Sequence, residues 1–140
     1  MAIIDASNSI LGRLSSNVAQ RLMRGESIQL VNVENAIMSG EAMEKFNRRQ
    51  GLQSKKTPES GTKFQKRPDF LVKKVVRGML PYKTWRGRKA YKNLKCFVGL
   101  PSGIDVKSLE TVKEAQKTIK IKSMTVNEIC IKLGWKEYGC

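Results

Sequence analysis

The chain lacks the residues on which most catalytic and metal sites depend. Its 140 residues include no histidine, and its three cysteines, Cys96, Cys130 and Cys140, form no CxxC pair. Histidine is the commonest general acid or base, and a structural zinc ion needs four cysteine or histidine ligands, usually in close pairs. Cys96 lies in an apolar stretch without a histidine to activate it, so we interpret it as structural. We therefore predict no catalysis, no metal and no other cofactor.

Long apolar runs and nucleotide-binding motifs are missing too. No window approaches the ~18 apolar residues of a membrane span, and the N-terminus lacks the basic and apolar parts of a secretory signal. Together with the odd cysteine count, this favours a reducing cytoplasm. Residues 5–9 read DASNS instead of GxGxxG, and Walker A is absent. A nucleotide-dependent enzyme with a small-molecule substrate is therefore the weaker alternative.

Hydrophobic periodicity nevertheless predicts a βαβ unit at the start of the chain. Ile3 and Ile4 indicate a short strand, leucines and valines recur at helical spacing over 11–22, and Ser27–Val33 is typical of a buried parallel strand. We expect Asn8 or Ser9 to cap the helix and Gly25 to end it. Gly12, inside that helix, is expected to permit close packing.

The rest of the chain predicts three more helices and a strand. Ser39 could cap a helix that reaches Arg49, residues 51–67 are typical of a loop, and a helix is expected from Pro68 to Met79. A shorter helix follows Thr84, and Leu94–Val98 is expected to form a strand. Thr111 and Thr125 have capping-box spacing, the second ahead of a short amphipathic segment that ends at Gly134. No linker divides the chain, so we predict one domain over 1–140.

Positive charge is concentrated in the middle of the chain. The net charge is +15, and residues 55–95 hold fourteen basic residues but only two acidic ones, whereas residues 1–40 are neutral. Such a surplus predicts a polyanionic partner, either nucleic acid or an anionic membrane. A membrane-surface helix should pair its basic face with an exposed bulky apolar one. Because these cations extend over a loop and two helices, we favour folded RNA and predict no membrane partner.

Three other residues of this segment each have two interpretations. Trp85 falls on the basic side of its predicted helix, where it either contacts RNA or packs against a neighbouring element. Gly78 and Gly87 either let the backbone approach phosphate or serve as a helix end and a packing contact.

Several separated blocks of the sequence resemble one known family. Residues 76–81 read VRGMLP, followed by KT at 83–84 and RG at 86–87; residues 11–14 read LGRL. Further matching positions are Asp5, Val31, Asn32, Ser39, Gly40, Leu94, Phe97, Gly99 and Pro101. Over roughly residues 3–101 the chain resembles the large-subunit ribosomal protein L-thirteen family, in its archaeal or eukaryotic form. It departs from the family pattern at 61–65 and at Tyr82, where relatives often have histidine.

The resemblance implies a three-layer α/β/α fold with a four-stranded parallel sheet and a Rossmann-like half. It also implies a structural constituent of the cytoplasmic large ribosomal subunit that binds large-subunit ribosomal RNA, adjoins other large-subunit proteins and supports early assembly without catalysis. Residues 102–140 would be a C-terminal extension. A regulatory RNA-binding protein acting off the ribosome would use the same basic segment, so this alternative stays open.

Motif positions and segment charge together give the predicted RNA-binding residues. They are Lys55, Lys56, Lys63, Lys66, Arg67, Lys73, Lys74, Arg77, Gly78, Lys83, Thr84, Trp85, Arg86, Gly87, Arg88, Lys89 and Lys92.

Overall fold

Four parallel strands form the central sheet. The computed structural model describes residues 1–40, 44, 65–104, 108–116 and 122–136. The strands are β1 (Ala2–Asp5), β2 (Ile28–Val31), β4 (Leu94–Cys96) and β5 (Glu110–Thr111), in the order β4-β2-β1-β5. Ala2 lies opposite Ile28, and Ile28 lies opposite Leu94, so the first three strands begin in line. The predicted α/β class with a four-stranded parallel sheet flanked by helices is confirmed.

Helices cover this sheet, and a small second sheet lies beside it. The helices whose bounds lie within the described ranges are α1 (Leu11–Met23), α2 (Pro68–Met79), α3 (Trp85–Lys92) and α4 (Val126–Lys132), with a 3-10 helix over Val33–Asn35. The second sheet pairs β3 (Ile37–Ser39) with β6 (Ser123–Thr125) in antiparallel register. Both strands are short and were not predicted from the sequence.

One hydrophobic core joins elements from both ends of the chain. Ile4 of β1, Leu14 of α1, Val72 of α2, Leu94 of β4 and Ile129 of α4 are all buried in the same cluster. The four residues of β2 are nearly all buried, as expected for a parallel strand covered on both faces. Because Leu71, Val72 and Val76 of α2 lie in this core, the opposite side of the helix faces solvent.

The predicted starts and ends of several elements were wrong. The strand expected to reach Val33 ends at Val31, because Asn32 has the left-handed φ of +52° and turns the chain. The strand expected to reach Val98 ends at Cys96. Thr111 does not start a helix but ends β5, and a turn follows it.

The start of α1 also differs from the prediction. Its N-cap is Ile10, without a side-chain cap, and neither Asn8 nor Ser9 fills that role. Asn8 instead has a φ of +56° in a turn. Gly12 is exposed, and a Cβ there would meet nothing within 4 Å, so the predicted close packing is wrong. Gly25, with a φ of +98°, does follow the end of the helix as predicted.

Other helix signals are confirmed. Pro68 lies in the first turn of α2, Thr84 caps α3, and Thr125 forms a capping box with Glu128 at the start of α4. Of the helix predicted after Ser39, Glu44 is described and is helical, and its amide donates to the Gly40 carbonyl at 3.4 Å. The rest of that helix and the predicted loop up to residue 64 lie outside the described residues.

Candidate nucleic-acid interface

The carboxyl edge of the sheet is the place where open α/β folds commonly bind ligands. The crevice is expected where the strand order reverses, here between β1 and β5. The chain itself fills this position: Ala115, after β5, is fully buried, and its carbonyl accepts a hydrogen bond from the Ile10 amide at 2.9 Å. This packing disfavours the nucleotide-enzyme alternative.

The carboxylate of Asp5 lies at the same edge of the sheet, where it is a structural hydrogen-bond acceptor. Its Oδ1 accepts hydrogen bonds from the Ser7 amide at 3.0 Å, the Ser7 hydroxyl at 2.8 Å and the Asn32 side-chain amide at 3.1 Å. Burial alone would raise the pKa of Asp5, but the hydrogen bonds outweigh it and hold the pKa below its ordinary value. The carboxylate therefore ties the turn after β1 to the end of β2.

Two cysteines that could be nucleophiles are held in the thiol form. Burial raises the pKa of Cys96 to about 12, against the opposing charge of Lys73, and burial raises the pKa of Cys130 to about 12 as well. Because the thiolate is the reactive species, neither residue is activated at neutral pH. Within the described ranges no group of three His, Cys, Asp or Glu side chains could hold a metal ion.

Helix α2 separates core residues from cations. Leu71, Val72 and Val76 are buried, whereas Lys74 and Arg77 are exposed and Lys73 is half-buried. These three apolar residues of α2 thus pack inward. Phe70 and Met79 of the same helix are 47% and 45% exposed, but they are nine residues apart and so lie on opposite sides of it. They form no continuous apolar face of the kind that a membrane-surface helix needs. No helix in the described segments is long and apolar enough to cross a bilayer.

Helix α3 repeats this separation on a smaller scale. Gly87 and Ala90 are its buried residues. Its exposed cations are Arg86, Arg88, Lys89 and Lys92. We call the exposed cations of α2, α3 and the segments beside them the basic surface; the others are Lys66, Arg67, Lys83 and Lys95. Lys95, the last residue of the basic segment 55–95, was not among the predicted site residues.

Trp85 is an exposed aromatic platform on this surface. Its side chain is 70% exposed, and Lys89 Nζ lies 5.2 Å from the ring centroid. This exposure is at odds with packing against a neighbouring element and leaves the contact with RNA as the favoured interpretation.

Thr84 and Gly87 build the turn between α2 and α3. The Thr84 hydroxyl accepts a hydrogen bond from the Gly87 amide at 3.2 Å and donates one to the Pro81 carbonyl at 2.8 Å. A Cβ at Gly87 would overlap that carbonyl, so the absence of a side chain lets α3 lie directly on the turn. Gly87 is thus a packing contact. Gly78 has open space around it and an exposed backbone.

Two tyrosines link the cations of α2 to α3. The Arg77 guanidinium lies 4.0 Å from the centroid of Tyr82, whose ring meets Tyr91 edge-on at 5.4 Å. Lys73 Nζ lies 5.1 Å from the Tyr91 centroid. Sequence reasoning missed both tyrosines as members of the site, because their contacts depend on how α2 and α3 approach each other.

Most predicted site residues are therefore exposed on the basic surface. Lys73 is half-buried and Gly87 is buried. Arg67 donates a charge-assisted hydrogen bond to Asp69 at 2.9 Å and lies 5.0 Å from the Phe70 ring centroid. Lys55, Lys56 and Lys63 lie outside the described residues.

The fold and the basic surface define a class: an α/β protein whose helices contribute buried apolar residues to the core and expose cations to solvent. A model of the family described as "Ribosomal protein L13" matches residues 1–102. The protein named "Large ribosomal subunit protein uL13" of Archaeoglobus fulgidus is 39% identical over 137 residues, covering 96% of this chain and 88% of its own. Its namesake from Methanococcoides burtonii is 39% identical over 138 residues, covering 97% and 99%.

The Methanopyrus kandleri protein of the same name is 36% identical over 143 residues, covering 98% of this chain and 89% of its own. This chain belongs to the ribosomal protein L13 family, a family of structural ribosomal proteins and not of enzymes. The resemblance found in its motifs is confirmed, as is the similarity to archaeal members.

Proposed function

We propose that this chain is a structural constituent of the large ribosomal subunit, in the cytoplasm, and that it binds large-subunit ribosomal RNA through the basic surface. The observation that carries the proposal is the placement of the cations of α2 and α3 in solvent while the same helices supply the core. Arg77, Arg86 and Lys92 have no carboxylate partner among the described residues, so their charge is available to phosphate.

Each part of the surface has a role that its chemistry supports. Arginine offers planar bidentate donors to phosphate, and lysine offers a mobile point charge. Unpaired RNA bases stack on exposed aromatic rings, the role we propose for Trp85. The exposed backbone at Gly78 lets a phosphate approach closely. In this proposal Lys55, Lys56 and Lys63 also bind RNA, and Thr84 and Gly87 maintain the conformation of the turn between α2 and α3.

The proposal extends to assembly and to protein neighbours. By holding RNA segments in a fixed arrangement, the chain would support early steps of subunit assembly without catalysing a reaction. Residues 102–140, a C-terminal extension of the single domain 1–140, would adjoin neighbouring large-subunit proteins. Exposed Ile131, 57% accessible on α4, is an apolar contact available there.

The test measures binding of the purified full chain to large-subunit ribosomal RNA across salt concentrations. Log affinity should fall linearly with log salt, by about 0.7–0.9 per phosphate contact. Replacing Arg77, Lys83, Arg86 and Arg88 by alanine should weaken binding and reduce that slope. The matched control replaces four exposed cations elsewhere, Arg13, Arg24, Lys113 and Lys122, and changes net charge equally. Equal losses in the two variants would show that net charge, and not this surface, determines binding.

An RNA-binding protein acting off the ribosome would behave the same way in that assay. Sedimentation of cell extracts through high-salt gradients separates the two possibilities. We expect the chain to remain with large subunits at salt concentrations that remove loosely bound proteins. Its appearance only in the light fractions would contradict a structural role in the subunit.

A further inference from the structure

We propose that Tyr82 and Tyr91 are positioning residues that hold Arg77 and Lys73 as a paired site for backbone phosphates of one RNA strand. This inference rests on the proposed function and names the part of the basic surface where RNA phosphates bind in fixed geometry. Lys73 and Arg77 are four residues apart on α2, so their side chains leave the same face on successive turns.

Two like charges at this spacing repel each other, which by itself would spread the side chains apart. Each cation instead lies against its own ring, Arg77 at 4.0 Å from the Tyr82 centroid and Lys73 at 5.1 Å from that of Tyr91. Because the two rings meet edge-on at 5.4 Å, the four groups form one continuous network. The positive edge of one ring faces the other ring, a favoured aromatic geometry.

Stacking leaves the hydrogen-bond donors of arginine available. A guanidinium over an aromatic face is attracted by the ring's electrons, while its N–H groups lie in its own plane and can reach a phosphate bidentately. In the part of the chain that the structure describes, no group accepts a hydrogen bond from the guanidinium of Arg77. The arginine is therefore restrained in orientation while its donors are not yet used.

The rings are themselves held by the turn between α2 and α3. The Tyr82 amide donates a hydrogen bond to the Leu80 carbonyl at 2.7 Å. The carbonyl of Pro81, the residue before Tyr82, accepts a hydrogen bond from the Thr84 hydroxyl. Tyr91 is fixed by its place in α3. Burial raises the pKa of the Tyr91 phenol, and the charge of Arg77 opposes that rise, as expected for groups in one cluster. The network thus couples phosphate ligands on α2 to the packing of α3.

A double-mutant cycle tests this positioning role. Immobilising a free, flexible side chain on binding costs affinity, so Tyr82→Leu should weaken RNA binding by about two- to tenfold. Tyr82→Phe, which keeps the ring, should bind like the unchanged chain. In an Arg77→Ala background, Tyr82→Leu should have no further effect, because no arginine remains to be positioned. An equal loss in both backgrounds would overturn the proposal, as would no loss in either.

Arg77→Lys provides a second measurement that leaves both tyrosines in place. It keeps the charge but loses the stacked bidentate plane. We expect it to lower affinity by about the same two- to tenfold, without a change in the free energy of unfolding beyond that of a surface substitution. Undiminished affinity would overturn the positioning role even if Tyr82→Leu failed to fold. If the proposed function were wrong, the unchanged chain would itself show no salt-dependent binding to the RNA, whereas failure of the positioning role alone would leave that binding intact.

Discussion

Replacing Gly87 by alanine should destabilise the chain, although the same change normally stabilises a helix. Alanine has a higher helix propensity than glycine by about 1 kcal/mol, so propensity alone predicts a gain. At Gly87, however, the new Cβ would overlap the Pro81 carbonyl and lie 3.1 Å from the Tyr82 amide nitrogen. These are backbone atoms, so no side-chain rotation relieves the overlap and α3 must move away from the turn.

The size of the effect follows from these opposing terms. Overpacking that shifts backbone costs about 1–3 kcal/mol, occasionally more. Because the overlapping atoms are backbone, we take the upper part of this range, about 2–3 kcal/mol. After subtraction of the propensity gain of about 1 kcal/mol, the expected net loss in the free energy of unfolding is about 1–2 kcal/mol. For a chain of this length that corresponds to a fall in Tm of about 3–10 °C.

Urea unfolding of the purified full chain, followed by circular dichroism, measures this loss. The matched control is Gly12→Ala, also in a helix, where a Cβ would meet nothing within 4 Å. There we expect a gain of at most about 1 kcal/mol. The two substitutions should thus have opposite signs. Equal stabilisation by both would refute the close approach of α3 to the Pro81 turn.

Two further predictions concern other parts of the fold. Thr125→Ala removes the capping box of α4 and should lower the free energy of unfolding by about 1 kcal/mol. Thr125→Ser keeps the capping hydroxyl and should retain most of that free energy. Equal Tm values for the two variants would contradict the capping role of Thr125. The pKa of Asp5 is lowered in the folded chain, so its ionised form stabilises the fold at neutral pH. This stabilisation is lost as the pH falls below about 4 and passes through the folded-state pKa. The stability difference between the chain and Asp5→Asn, measured by denaturant unfolding from pH 7 to pH 3, should therefore shrink at the acidic end; a constant difference would show that the charge is irrelevant.

Local signals predicted the elements that carry the basic surface. The apolar spacing in α2 and the placement of Pro68 and Thr84 were enough to orient both helices, because a side chain's position on a helix follows from sequence spacing alone. For the same reason the sequence placed Trp85 on the basic side of its helix, but it did not decide between exposure there and packing against a neighbouring element; the structure shows the side chain 70% exposed. The four-stranded parallel sheet came from the family resemblance, since only two of its strands lie in the predicted βαβ unit.

Features that depend on long-range packing could not be derived in this way. The strands β3, β5 and β6 have two or three residues each, too few for an alternating pattern to show. Sequence alone could not decide whether Gly87 is a packing contact or a place where phosphate approaches the backbone; its contact with Pro81 depends on how α3 meets the preceding turn. The stacking of Arg77 on Tyr82 required the relative placement of a helix and the turn after it. A left-handed asparagine at position 32 shortened β2 against its apolar pattern.

The strand order also sets a sequence of events during synthesis. β1, β2 and β4 are neighbours in the sheet, and all three are available once Cys96 has left the ribosome that makes the chain. β5 must pair with the first strand, and β6 must pair with β3, across long intervening segments. Such non-local pairings form slowly, because chain entropy is lost before contacts compensate for it. Both cationic helices are therefore synthesised before the last two strands, so the residues of α2 and α3 on the basic surface have been made before the residues that complete the core, such as Ala115 and Ile129.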